Sequence, residues 1–347
     1  ATRLPDLFVY YKNFVYGAQS GTTGFWRYDT VNAVLTTSWQ LVTFTDVAQG
    51  IVHSKDDNLY IPYDNKIAKF DGDTGEWISQ ALVLPTDKQI NTITEYGEFL
   101  AIGASTITAE VVGVAPSVVY LWDRNTALTT VSENIEWGNG VLEILEVLDG
   151  FLIGISDSPA QASGGDASSF NAKMDIRVFD GTKVTKIFEL ISDVPLSNDE
   201  SPGLRNGIIK HREALYFPLR ITLDGTIHSG IWKLYRPSPQ SGFALTLDRT
   251  FNNNTTATST LSNGVPIYNS RIFDTFIWDD FMFISYLDES NSRTYISKTN
   301  DLPSYTASST IESVFYGDGI HQNVLKSIGV ITEPIPQGGQ IDILYKV

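Results

Sequence analysis

Five carboxylates fall on segments that read as strands or strand ends: Asp6, Glu95, Glu143, Glu146 and Asp274. Two such groups facing each other across a sugar, roughly 5–9.5 Å apart, are the machinery of glycoside hydrolysis. Turn and strand-end solvation accounts for the same five acids without any chemistry. The histidines, His53, His211, His228 and His321, are more dispersed. None lies within four residues of another, so no His-x-His or His-x-x-x-His pair offers a metal two ligands from one element. His53 and His211 occupy equivalent places in a repeating unit of the chain, where half-buried strand histidines are the ordinary reading. Asp71-Gly72-Asp73-Thr74-Gly75-Glu76 has the look of a calcium loop but lacks the length and the distal bidentate glutamate. A plain β-turn is the simpler expectation for it.

Other chemistries are excluded by residue type. There are no cysteines, which removes disulfides, thiolate zinc sites and cysteine nucleophiles together. No Gly-x-Ser-x-Gly elbow and no phosphate-cradling glycine loop occurs. Asn253-Asn254-Thr255 and Asn254-Thr255-Thr256 are glycosylation sequons that matter only in a eukaryotic secretory setting. Of the tryptophans, Trp26, Trp122 and Trp232 lie in strands whose alternation marks them as core. Trp39, Trp77 and Trp137 fall near outer strands or turns and are the better candidates for a sugar-stacking surface. No residue set is assigned as catalytic, cofactor-binding or metal-ligating, no cofactor is expected, and the chain is read as a non-enzyme.

The elements that would position these residues follow from composition and periodicity. The 347 residues are 42% hydrophobic and only 18% charged, with 16 Tyr, 18 Phe and 7 Trp, which suits a β-rich core rather than disorder. The net charge of −16 repels phosphate backbones and anionic lipid and keeps a large β-protein in solution. No run approaches the ~18 apolar residues of a membrane span. The N-terminus has neither a signal-peptide pattern nor an initiator methionine, and the last residues stop within a strand pattern, as in a processed form or a fragment.

One unit recurs six times, starting near residues 6, 46, 91, 140, 206 and 272. Its second strand is an apolar run: Phe14–Gly17, Leu59–Pro62, Phe99–Gly103, Phe151–Gly154, Leu215–Pro218 and Phe281–Ile284. Each run comes after a polar turn such as Lys12-Asn13, Asp56-Asp57-Asn58 or Asp149-Gly150, which joins antiparallel strands. Its third strand ends in an aromatic residue and Asp at Asp29, Asp71, Asp123 and Asp180. In two later copies the third strand decays to Ile231–Tyr235 and Tyr295–Lys298. Residues 156–173, rich in Ser, Ala and Gly, read as a long loop between second and third strands, and residues 252–264 as a polar linker. A four-stranded repeat that cannot cover both its faces alone must stack on its neighbours. The expected fold is therefore all-β: a β-propeller of six four-stranded blades, or seven, over residues 1–317. Residues 318–347 form a C-terminal β-hairpin that begins a β-sandwich or closes the propeller.

In that hairpin a strand over Asn323–Ile331 meets the turn Glu333-Pro334-Ile335-Pro336-Gln337-Gly338-Gly339 and a partner strand over Gln340–Lys346. Glu333, Pro334, Pro336, Gly338, Tyr345 and Lys346, with the lead-in Ile311–Gly319, resemble a segment of tailed-bacteriophage virion proteins that carry a β-propeller followed or interrupted by a β-sandwich. The match covers about 35 residues. The resemblance implies a structural role in a phage tail, fibre or adhesin. It also implies other virion proteins as partners, homo-oligomers, host-surface glycan as a further contact, and a virion location. It supplies no catalytic residues. A secreted carbohydrate-binding or glycoside-hydrolase-like propeller stands beside it as the alternative.

Overall fold

A computed structural model describes residues 7–18, 25–40, 52–106, 116–127, 131–160, 171–195, 208–223, 226–250, 259–260, 266–267, 270–278, 281–288 and 293–298. The chain divides into two compact units, Ala1–Tyr305 and Thr306–Val347. The C-terminal hairpin, and with it the division expected after residue 317, lies outside the described residues.

The chain is all-β with the blade architecture of a β-propeller. Blade 1 comprises β1 (Leu7–Tyr11), β2 (Phe14–Ala18), β3 (Phe25–Asp29) and β4 (Val34–Gln40). Blade 2 comprises β5 (Val52–His53), β6 (Asn58–Tyr63), β7 (Lys66–Asp71) and β8 (Trp77–Val83). Blade 3 is β9 (Lys88–Tyr96), β10 (Phe99–Thr106), β11 (Pro116–Trp122) and β12 (Glu133–Asn139). Blade 4 is β13 (Val141–Leu148), β14 (Phe151–Ala160), β15 (Asn171–Phe179) and β16 (Val184–Pro195). Blade 5 is β17 (Ile209–His211), β18 (Ala214–Leu223), β19 (Thr226–Tyr235) and β20 (Ala244–Thr250). A short pair, β21 (Ser259–Thr260) and β22 (Pro266–Ile267), precedes three described strands of blade 6, β23 (Ser270–Trp278), β24 (Phe281–Asp288) and β25 (Arg293–Lys298). In every sheet the strands lie side by side in chain order.

The local reasons match the repeat. Between first and second strands the backbone passes through positive φ at Lys12 and Asn13, Asp57, Gly97, Asp149 and Gly150, and Arg212. Asn, Asp and Gly tolerate that region best, and it gives hairpin turns the twist of the flanking strands. The aspartate that ends the third strand folds the next turn. Asp29 Oδ1 accepts from Val31 N and Asn32 N, Asp71 Oδ1 from Asp73 N and Thr74 N, Asp123 Oδ1 from Asn125 N, and Asp180 Oδ1 from Thr182 N and Lys183 N. The calcium-like stretch is thus a turn closed by its own first aspartate. Those turn bonds draw the Asp180 carboxyl down to about 2, the Thr182 hydroxyl contributing most.

Apolar clusters fill the spaces between consecutive blades. Tyr11, Tyr16 and Phe25 of blade 1 meet Leu59, Ile61, Tyr63, Ala68 and Phe70 of blade 2. Tyr60, Ile67 and Leu82 meet Ile93, Leu100, Ile102 and Trp122 of blade 3. Ala101, Val119, Leu121 and Trp137 meet Leu142, Leu145 and Leu152 of blade 4, and Ile153, Met174 and Ile176 meet Leu215, Phe217 and Trp232 of blade 5. On β10, Leu100 and Ile102 face blade 2 while Ala101 faces blade 4. A second strand is therefore buried on both faces, which is why it appears in the sequence as an apolar run.

One expectation is corrected. Residues 156–160 and 171–173 are not loop: β14 and β15 continue as a ladder from Ser156↔Asp175 to Ala160↔Asn171. Backbone pairing carries these strands through a composition that by itself favours turns.

Candidate functional site

The turns between first and second strands and between third and fourth strands of blades 1, 2 and 3 carry two sets of ionised groups. Glu95, at the end of β9, accepts hydrogen bonds from Ser54 Oγ, from Lys55 N at 2.9 Å and from Arg124 Nη2 at 2.7 Å. The Arg124 side chain is 8% exposed and also donates to the carbonyls of Glu98 and Phe99. Lys55 Nζ pairs with Glu98 Oε1 at 2.6 Å and donates to Gly97 O. Burial works to raise the Glu95 carboxyl, but the Ser54 and Lys55 hydrogen bonds and the Arg124 charge outweigh it and hold the group below the usual glutamate range.

A second latch joins blades 1 and 2. Lys12 Nζ lies 2.8 Å from Asp57 and 2.6 Å from Asp73, and the Asp57 hydrogen bond is the main cause that raises the ammonium group. Tyr11 OH donates to Asp57 O and accepts from Gly72 N. His53 Nε2 lies 2.9 Å from Asp57 Oδ1, with its ring edge-on to Tyr11 at 4.7 Å. These groups fasten adjacent blades, and Glu95, a candidate acid from the sequence, belongs to a fastening.

Glu146 behaves differently. It lies on β13, the first strand of blade 4, and its carboxylate folds back to accept from Val147 N at 2.9 Å. Thr94 Oγ1 of β9 reaches it at 3.4 Å. Thr94 and Glu95 are consecutive and point to opposite faces of β9, so Glu146 meets blade 3 on the face away from the Glu95 latch. Burial pushes the Glu146 carboxyl up, only partly offset by the Val147 N–H, Lys210 of β17 and Thr94. A carboxyl raised above the usual glutamate range by burial is shifted in the direction that a general acid needs.

The sign of its contribution to stability is fixed by that shift. A raised folded-state value means stability that is complete below the unfolded value and is lost as pH rises through the folded value. Glu146→Gln, which keeps the shape and removes the charge, is therefore expected to raise the melting temperature at pH 7 and to leave it unchanged near pH 4. Thermal scans at the two pH values check this, and a glutamine variant less stable at pH 7 overturns it.

The remaining candidates are dispersed over the blades. Glu143 is half-buried on β13. His211 ends β17 opposite Ala214. Asp274 and His228 hold ladder positions opposite Ser285 and Ile221. Asp6, His321 and the sequons lie outside the described residues. Trp122 and Trp232 are core, as expected, and Trp26 is half-buried. The expected sugar-stacking surface is corrected: Trp137 is 1% exposed. Trp39 and Trp77 pack on each other at 5.4 Å and on the blade 1–blade 2 aromatic cluster. Outer strands, like inner ones, have faces that neighbouring blades cover.

Sequence reading missed an ionic cluster on blade 4. Asp175 is 2% exposed, with Arg177 Nη2 at 3.2 Å, Lys173 Nζ at 3.5 Å and Lys186 Nζ at 3.8 Å. Glu189 bridges Lys173 and Lys186, chiefly the Lys186 hydrogen bond, and is drawn down to about 2. The alternation Lys173-x-Asp175-x-Arg177 was its available signal, but it straddles the boundary between the stretch read as loop, which ends at residue 173, and the third strand. Among the described residues no group of three or more His, Cys, Asp or Glu is placed to hold a metal ion, and no helix is long and apolar enough to cross a membrane.

No protein-family model matches this chain, and no curated protein does. Solved structures do resemble it. The chain is similar to the β-propeller domain of the Trilobed protease from Pyrococcus furiosus, at 9% identity over 85% of this chain and 80% of that one, with a TM-score of 0.43. It is similar to Kuenenia stuttgartiensis hydrazine synthase, at 14% identity over 83% and 80%, with a TM-score of 0.47. It is also similar to a thermostable family-43 glycoside hydrolase, at 10% identity over 75% and 94%, with a TM-score of 0.37. At these identities the likeness concerns the fold alone.

Proposed function

We propose that this protein is a non-catalytic structural component of a tailed-bacteriophage virion, a tail or fibre part acting through protein–protein contacts, homo-oligomeric contacts among them. The observation that supports the reading is the use of ionised side chains as fasteners between blades: Lys12 of blade 1 with Asp57 and Asp73 of blade 2, and Lys55 of blade 2 with Glu98 of blade 3. Hydrogen-bonded latches of this kind stiffen a β-protein that has no disulfides and works outside a cell. The C-terminal sequence from Glu333 to Gly338 supplies the family resemblance. Immuno-electron microscopy of purified parent particles, with an antibody against the propeller, tests it. Decoration of the tail or its fibres is expected; a protein recovered only as a free monomer and never on particles overturns the reading.

The second reading is a carbohydrate-active or carbohydrate-binding propeller, secreted or displayed on a particle, and Glu146 favours it. A buried carboxyl with a raised pKa is what protonating a glycosidic oxygen requires. Glycan-array binding and reducing-sugar release, compared between the native chain and Glu146→Gln, decide it. Turnover lost in the variant supports the reading, and neither binding nor turnover in the native chain removes it.

A further inference from the structure

Four polar atoms at the seam between blades 3 and 4 are buried and find no hydrogen-bonding partner within the described residues: Trp137 Nε1, Ser156 Oγ, Asp175 Oδ1 and Arg177 Nε. Trp137, Ser156 and Asp175 are 1%, 1% and 2% exposed. A buried polar group without a hydrogen bond costs about 1–3 kcal/mol, so native proteins rarely leave several together; Asp175 Oδ1 has Lys186 Nζ at 3.8 Å, an ion-pair contact beyond hydrogen-bond reach.

The register places these four groups in one cell of the sheet. Ser156 stands opposite Asp175, and Gly154 opposite Arg177, on β14 and β15. Gly154 and Ser156 share a face, as do Asp175 and Arg177, because alternate residues do. Trp137 enters this cell from blade 3: a Cβ on Gly154 would lie 2.5 Å from its Nε1. The Arg177 guanidinium packs in turn over Gly138, the residue after Trp137. Direct cross-strand pairs stand about 5 Å apart and diagonal ones about 7 Å, a span that one small molecule can bridge.

The chemistry of the set selects the occupant. Trp137 Nε1 and Arg177 Nε only donate, Asp175 Oδ1 accepts, and Ser156 Oγ does either. A metal cation would meet two N–H donors, one of them on a guanidinium; an anion would meet a carboxylate. Two donors and two acceptors complement water, which has two protons and two lone pairs.

A hydroxyl path leads to the same place from the other side. Asn91 Nδ2 donates to Ser105 Oγ, which contacts Ser117 Oγ and accepts from Leu142 N, and Ser117 Oγ donates to Gly140 O. Leu142 is the register partner of Ser156 on β13.

We infer that the blade 3–blade 4 seam holds a built internal water site, in which ordered water bridges Trp137, Ser156, Asp175 and Arg177 and fixes how the two blades mate. A buried water typically makes about three hydrogen bonds, which this cell supplies.

A high-resolution crystal structure of the native chain is the direct test. Density for water within about 2.7–3.2 Å of at least three of the four atoms is the expected result. Side chains closed on one another with no density between them overturn the inference. In solution, water oxygen-17 relaxation dispersion counts long-lived internal waters. Ser156→Val fills the cell with methyl groups and is expected to lose at least one of them relative to the native chain. An equal count in a folded valine variant overturns the inference as well.

Discussion

Replacing Trp137 with alanine is expected to destabilise the protein by about 3–5 kcal/mol, the ordinary cost of emptying a large aromatic site in a packed core. The indole is 1% exposed and is enclosed by Ala101, Val119, Leu121, Ile135, Leu142 and Leu152 from blades 3 and 4. It closes the seam by lying against backbone: a Cβ at residue 154 would come within 2.5 Å of Cε2, Cζ2 and Nε1 of the ring. Gly154→Ala should therefore cost about 1–3 kcal/mol by overpacking. That runs against the usual gain of about 0.5–1 kcal/mol when a strand glycine becomes alanine. The two effects are coupled in a way urea denaturation can read. Once Trp137 is alanine the obstacle is gone, so Gly154→Ala should be harmless or stabilising in that background. Costs that simply add in the double variant would show that the ring does not occupy this position.

The parts of the fold that were legible in the sequence are those set by local physics. Second strands such as Leu59–Pro62 were visible because burial on both faces leaves no polar alternation to obscure them; every residue of β6 is buried. Third strands were visible because Asp29, Asp71, Asp123 and Asp180 each close a turn with their own side chain. What crosses between blades was not legible. Glu95 meets Ser54 and Lys55 some forty residues away and Arg124 from another turn of its own blade. A repeat says where a residue lies in its blade but not which neighbour it faces. β-Bulges make this worse, because each reverses the in–out order of the residues beyond it. One falls between Gly103 and Ala104, another between Leu142 and Ile144 and a third between Ser117 and Val118. Trp137 obeys the same logic. Its outer-strand position looked like surface, yet it fills the space that Gly154 leaves open. Glu146 was identified as an acid of interest from its strand position. Its raised pKa comes from burial, which Thr94 of β9 and Lys210 of β17 only partly offset, and no local pattern encodes that balance.

Arg124→Ala is expected to have the second-largest effect, about 2–4 kcal/mol. Removing one member of a buried charge pair costs about 3–5 kcal/mol because the other is left uncompensated. The Glu95 side chain is 32% exposed, so water recovers part of that loss. The guanidinium also satisfies Glu98 O at 2.7 Å and Phe99 O at 3.4 Å, and both carbonyls lose a donor with it. Arg124→Lys should rescue little, since an ammonium group lacks the planar fork that reaches a carboxylate and two carbonyls at once. The pH dependence identifies the cause. Glu95 titrates below its unfolded value, so the stability it contributes is present above about pH 4.3 and is lost as pH falls through the folded value. The deficit of Arg124→Ala against the native chain should accordingly be largest near neutrality and shrink as pH falls through the lowered folded-state value of Glu95, below which the carboxylate is protonated in both. Melting temperatures of the native chain, Arg124→Ala and Arg124→Lys across that range measure it. A deficit that stays constant from pH 7 down through the acid unfolding of the native chain would mean that Arg124 holds blade 3 by its two carbonyl bonds and its packing, and that the charge on Glu95 does not carry the latch.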